Sequence, residues 1–186
     1  YMYDEEDIYK LLKNMDNKHE LNMIKEILCL ADQTTEICEM AVSIDGHILG
    51  IVENQTNSIC RLAVQQNGLA LEHVKKQTNE ICELAVQQDG CALKFVKQQT
   101  YKLCELAVQQ DGLALEYVEE QTKKICEIAV RRSGYALRHA KEQTKEICEL
   151  AVQLDGCALE YVEEQTENIC RIAVQQNGLA LGDVKD

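Results

Sequence analysis

Proline and tryptophan are absent from the 186-residue chain, and aromatic residues make up only 4% of it. Without proline, nothing in the sequence forces a helix to kink or stop. Without large rings, a core must be built from Leu, Ile, Val, Ala and Cys, which suits thin, closely packed helices. No apolar run approaches the roughly 20 residues that cross a bilayer as a helix, and no secretory signal is visible. Positive charge is scarce as well: 19 Lys and Arg stand against 32 Asp and Glu, for a net charge of −13. Such a chain repels phosphate backbones, which argues against a nucleic-acid partner.

What the chain does contain is one unit, repeated. A 22-residue pattern, Q-T-x-x-I-C-E-L-A-V-Q-Q-D-G-x-A-L-x-Y-V-x-x, occurs seven times, at residues 33–54, 55–76, 77–98, 99–120, 121–142, 143–164 and 165–186. A fixed period in this range signals a repeat architecture. In the fourth copy, Thr100 precedes the first apolar residue and reads as a helix N-cap. Leu103, Leu106 and Ala107 follow at helical spacing, with Cys104 and Val108 widening the face. Asp111-Gly112 then ends the helix, the glycine being suited to a left-handed stop. Ala114, Leu115 and Val118 share one face of a second helix of about eight residues. A rival reading runs a single helix of about 18 residues through the joint at 113–130. The break is preferred, because Thr is a poor helix-interior residue and a good cap, and it stands at this joint in all seven copies. Helices this short are unstable alone, so neighbouring repeats must supply the burial, as in a solenoid.

Ten cysteines would suit a small disulfide-linked secreted protein. Their placement argues otherwise. Seven, Cys38 to Cys170 in steps of one repeat, fall on the inward face of the first helix. Equivalent positions in stacked helices lie about 8–10 Å apart, beyond the reach of a disulfide at about 7 Å. They read as small buried hydrophobes in a reducing, intracellular setting. No C-x-x-C or H-x-x-x-H spacing occurs. Cys82 with Cys91 and Cys148 with Cys157, with His73 and His139 in reach, fall short of the four convergent ligands of a zinc site. No metal and no cofactor are expected.

Residues 1–32 carry no copy of the unit. Asp4 to Asp7 form an acidic helix start, Ile8, Leu11 and Leu12 follow at helical spacing, residues 14–18 are a polar joint, and Leu21, Ile24, Ile27, Leu28 and Leu30 outline a second helix. This head is expected to cap the array. The first repeat agrees, with Ile44, Ile48 and Ile51 at positions that are mostly Gln, Ala and an aromatic or His elsewhere. The expected fold is therefore all-α: a solenoid of seven 22-residue helix-turn-helix repeats with an N-terminal helical cap. The seventh repeat ends at Asp186 without such a cap, so the expectation is either that the native chain continues or that a partner or a second copy covers this end.

The strings at residues 63–74, 85–96 and 107–118, A-V-Q-Q-[DN]-G-x-A-L-x-x-V, resemble short helical repeats of unknown function found in many copies in giant DNA viruses of the mimivirus type and in some microbes. The resemblance covers all seven repeats. Its Q-[DN]-G-x-A-L core is complete in four copies and broken in the first, the fifth and the sixth, where Leu154 replaces the glutamine. It implies a helical array from a virus or microbe, in host cytoplasm or virion if viral, and brings no catalytic residues.

Function is expected at exposed positions that vary between copies. The position of Tyr117 reads Ile51, His73, Phe95, Tyr117, His139, Tyr161 and Asp183. It forms either a stripe of rings for a peptide or partner helix or merely the edge of the core. The fifth repeat is basic, carrying Arg131, Arg132, Arg138 and three lysines against Glu127 and Glu142, between two acidic repeats. It is either a dock for an acidic partner or internal charge balance. With no nucleophile–base pair outside the pattern, the expected function is a non-enzymatic protein-binding scaffold. The alternative is a self-assembling structural component that stacks through its C-terminal end.

Overall fold

A computed structural model describes residues 5–14, 21–30 and 32–185. The acidic start at Asp4 and most of the polar joint, residues 15–18, lie outside the described residues, as do the side chains of Glu5, Leu21 and Leu30. Among the described residues there are helices and no strand. The described residues form nine α-helices, in chain order α1 (Glu5–Lys13), α2 (Leu21–Leu30), α3 (Thr35–Ile44), α4 (Asn57–Gln66), α5 (Asn79–Gln88), α6 (Tyr101–Gln110), α7 (Lys123–Arg132), α8 (Lys145–Leu154) and α9 (Glu167–Gln176). From α3 onward each is followed by a 3-10 helix, the fourth being Gly112–Tyr117 and the fifth Gly134–His139. The fold is an all-α solenoid.

The chain forms two compact units, Tyr1–Lys97 and Gln98–Asp186. In the first, α3, α4 and α5 pack side by side, their three 3-10 helices form a second row, and α1 and α2 lie against α3 and the first 3-10 helix. Ile8, Leu12, Ile24, Ile27 and Leu28 are buried there. In the second unit, α6 to α9 and their 3-10 helices form the same two rows.

The threonine at each joint caps its α-helix. The hydroxyls of Thr34, Thr56, Thr78, Thr100, Thr122, Thr144 and Thr166 each accept from the backbone N–H three residues on. Such a cap is worth about 1 kcal/mol, and it rules out a single helix through the joint. The buried face holds most of what the spacing predicts, Leu103, Cys104, Ala107 and Val108 from the α-helix, then Ala114, Leu115 and Val118, whereas Leu106, placed on the same face, is only half-buried.

Two expectations are corrected. The second helix is a six-residue 3-10 helix, not an α-helix of about eight. Its apolar residues Leu115 and Val118 are three apart, which is the 3-10 repeat, and Val118 N–H closes on Leu115 O at 3.2 Å. Nor does any described glycine adopt positive φ. The glycine is needed for close approach: a Cβ on Gly156 would come within 2.5 Å of Ala173 O in the next repeat, and one on Gly112 equally close to Ala129 O. The Asp or Asn before it caps the 3-10 helix, as Asp111 does by accepting from Leu113 N–H at 2.9 Å.

Candidate functional site

The candidate recognition side chains hang from a frame held by the first residue of each repeat. Gln121 Nε2 donates to Leu115 O of the preceding repeat at 3.0 Å and to His139 O of its own at 2.9 Å. Its Oε1 accepts from Lys141 N–H at 2.8 Å, and the Cys126 thiol points to the same oxygen at 3.7 Å. Gln55, Gln143 and Gln165 make the same set. Gln33 differs only in reaching back to Leu28 O of α2, and so ties the head to the array. Each carbonyl held within the repeat, from Ile51 and His73 to Tyr161 and Asp183, belongs to a residue whose side chain varies between copies. These glutamines were the signal missed in sequence. They are constant, but only the fold brings residues i−6, i+18 and i+20 to one carboxamide.

A second glutamine stitches successive repeats. Gln66 Oε1 accepts from Gly46 N–H at 2.8 Å while its Nε2 donates to Ile44 O at 3.3 Å. Gln176 does the same for Gly156 and Leu154, and Gln88 accepts from Gly68 N–H at 2.5 Å. Arg132 keeps only the donating half, Nε to Gln110 O at 3.3 Å. Leu154 keeps neither.

On this frame the stripe is half-buried at His73, Phe95, Tyr117, His139 and Tyr161. In the first unit His47 and His73 meet edge to face at 5.7 Å, and Lys94 Nζ lies 4.7 Å from the Phe95 ring centre. In the second, Tyr135 and Tyr161 meet at 5.8 Å, and the Arg138 guanidinium lies over Tyr161 at 5.7 Å. The Asp155 carboxylate beside Tyr135 is the main cause holding that phenol above its ordinary value. Burial does the same for Tyr161, with Glu160 adding to it. Burial pushes the His139 imidazole below its ordinary value, against the pull of Glu116 and with the help of Arg138, so it is neutral near pH 7.

The basic residues of the fifth repeat do not form one patch. Arg138 belongs to the 3-10 row. Arg131 is on α7, facing a cleft with Glu127, Glu146, Glu149, Leu150 and Gln153, and it makes no hydrogen bond or ion pair among the described residues. Lys123 pairs with Glu146 at 3.7 Å and Lys124 with Glu105 at 3.6 Å. Lys141 Nζ donates to Glu119 O at 2.7 Å. Arg132 is partly committed to Gln110. Part of the band is therefore charge balance, and Arg131 and Arg138 are its exposed cations with no hydrogen bond or ion pair among the described residues.

All ten cysteines are free thiols. Burial raises those of Cys38, Cys60, Cys82, Cys104 and Cys126, and pushes Cys148 up to about 11. Among the described residues no three His, Cys, Asp or Glu side chains gather as a metal site would need, and no helix is long and apolar enough to cross a membrane. A groove of about 620 Å³ runs between the α4 and α5 N-termini, lined by Gln55, Cys60, Lys75, Lys76 and Thr78 among others. The same groove recurs with Glu119 and Glu120, or Glu163 and Glu164, in place of the lysines. Its charge thus varies by repeat at a position that the sequence alone leaves looking like linker.

Two stretches of the chain, residues 57–102 and 122–167, match a family model described as a domain of unknown function (DUF4116). Each stretch spans about two periods of the repeat, so the chain is similar to a repeat family of unknown function. No curated protein matches the chain, and no solved structure does.

Proposed function

We propose that the chain is a non-enzymatic protein-binding scaffold whose 3-10 rows present the recognition side chains. One observation carries this reading. The ladder glutamine fixes the same backbone carbonyl in repeat after repeat, while the side chain at that carbonyl changes from Ile51 to His73, Phe95, Tyr117, His139, Tyr161 and Asp183. A constant frame under a varying, half-exposed side chain is how repeat proteins spread recognition over an extended surface. Rings anchor such contacts well, because they cover area at little entropic cost. Arg131 and Arg138 add cations for carboxylates of the partner. Ten free thiols favour a reducing compartment, and the resemblance to giant-virus repeats points to host cytoplasm or virion.

The experiment is affinity capture from the native cell, followed by binding of the purified partner to variants. Replacing Tyr117 and Tyr161 together by Ser should weaken a partner that uses the rings. Replacing Arg131, Arg132 and Arg138 by Gln should weaken one that uses the cations. A partner bound equally by wild type and both variants overturns the assignment of these residues. A mass that grows with concentration in light scattering, with no hetero-partner captured, favours self-assembly instead.

A further inference from the structure

The geometry points to a hinge: the joint between the fifth and sixth repeats opens ahead of its neighbours, releasing the fifth 3-10 helix, Gly134–His139, as a flap. Four observations converge there. Leu154 stands where Gln66, Gln88 and Gln176 lock the preceding repeat and where Arg132 still donates to Gln110 O, so at this joint the stitch neither donates nor accepts. Ser133 makes no side-chain cap bond, whereas Asp45, Asn67, Asp89, Asp111, Asp155 and Asn177 all do. Ala140 fills the place of Val52, Val74, Val96, Val118 and Val162 and is smaller by two carbon atoms. Finally, a Cβ on Gly134 would lie 3.2 Å from Ala151 O, against 2.5 Å at Gly112 and Gly156 and less at Gly46 and Gly68. The repeats stand farther apart at this joint than at the four others compared.

What closes the joint is different in kind. Gln143 still bridges Leu137 O and Tyr161 O at 3.3 and 2.9 Å. Beyond it, and beyond the buried Ala136 and Leu137 that match the core of the neighbouring repeats, the contacts particular to this joint are side chains at the surface: Tyr135 on Tyr161, and Arg138 over Tyr161. A flap held by side chains opens more readily than one locked through its backbone, because local opening follows the number of buried contacts and satisfied bonds it must break. Its opening carries Tyr135, Arg138 and His139 with it, and so reshapes the 3-10 row at that point. The hinge stands whether or not that row binds a partner.

Amide hydrogen exchange of the full chain tests it. The internal bonds of the flap match those elsewhere, Ala136 N–H to Ser133 O at 2.9 Å and Ala158 N–H to Asp155 O at 2.9 Å, so a difference in exchange reports opening. Amides of residues 136–140 should exchange on the order of tenfold faster than those of residues 70–74 and 158–162, as expected when a cap and a lock are both missing. The double variant Ser133→Asp, Leu154→Gln should restore both and slow exchange at 136–140 alone. The reverse change, Gln66→Leu, should speed exchange at residues 48–52. Equal protection in the wild type overturns the hinge. So does a double variant that changes nothing at 136–140, or that slows all repeats evenly.

Discussion

Replacing Gln121 by leucine removes one rung of the ladder while keeping most of the side-chain volume. The structure sets the cost. Leucine cannot donate to Leu115 O or His139 O, nor accept from Lys141 N–H, so three bonds of 2.8–3.0 Å are lost. A typical intramolecular hydrogen bond contributes about 0.5–1.5 kcal/mol net, and more is lost where the remaining partner stays shut off from water. Lys141 is exposed, so water replaces part of that loss, whereas Leu115 is fully buried. The sum is about 2–4 kcal/mol. In urea melts, with a slope of about 2 kcal/mol per molar, that lowers the midpoint by about 1–2 M. Gln109→Leu is the control, because Gln109 is exposed, and it should stay within about 0.5 kcal/mol of wild type. A Gln121→Leu variant as stable as that control would refute the ladder.

Gln121→Glu sharpens the test through pH. The carboxylate still accepts from Lys141 N–H but faces two carbonyl oxygens with no proton to give. Those oxygens raise its folded pKa above the unfolded value of about 4.3. Its protonated form, which restores one donor, is favoured below that value, and the stability it brings is lost as pH rises through the folded pKa. The deficit against wild type should therefore be largest at neutral pH and shrink on acidification.

Leu115→Ala, at a site with no solvent exposure, should cost about 2–5 kcal/mol in the same melts. Gly156→Ala places a Cβ 2.5 Å from Ala173 O and should cost about 1–3 kcal/mol or more. Gly134→Ala, with 3.2 Å to Ala151 O, should cost clearly less, and equal losses would contradict the wider spacing. The buried thiols make stability fall at high pH: the unfolded chain releases their protons near pH 8.5 while the folded chain holds them, that of Cys148 to about 11. Above pH 8.5 the unfolded state therefore binds fewer protons and gains. Chemical melts should show full stability below that pH and a decline towards pH 11, absent when the thiols are replaced by alanine.

The period, the α-helices and their threonine caps were legible because they rest on local spacing: a cap and its N–H are three residues apart, and Leu103 and Ala107 are four apart. The length of the second helix was not, since six apolar-rich residues fit either helix type, and Val118 ends this one by bonding to Leu115 O. The glycine was identified for the wrong reason, because a left-handed turn and a close approach leave the same letter. The ladder glutamine was invisible because its partners lie in two repeats. Arg131 and Arg138 are seven residues apart in sequence, yet one belongs to the α row and the other to the 3-10 row.

Burial of the core leucine is the same in the first six repeats, so it cannot tell one of their joints from the next: Leu49, Leu71, Leu93, Leu115, Leu137 and Leu159 are all fully buried. Differences between joints must come from the stitching. A stitch is one side chain, and a single substitution removes it without disturbing the core beneath, since Leu154 points outward at 48% exposure while Ala151 and Val152 stay buried. Stacked repeats contact only their neighbours, so such a change acts on one joint. The fifth repeat combines the loss of its cap and of its lock with a change of charge and a pair of tyrosines across the opening. The surface contacts at Tyr135, Tyr161 and Arg138 then hold what the backbone no longer does. Any molecule that binds those three side chains acts directly on the closure of the joint.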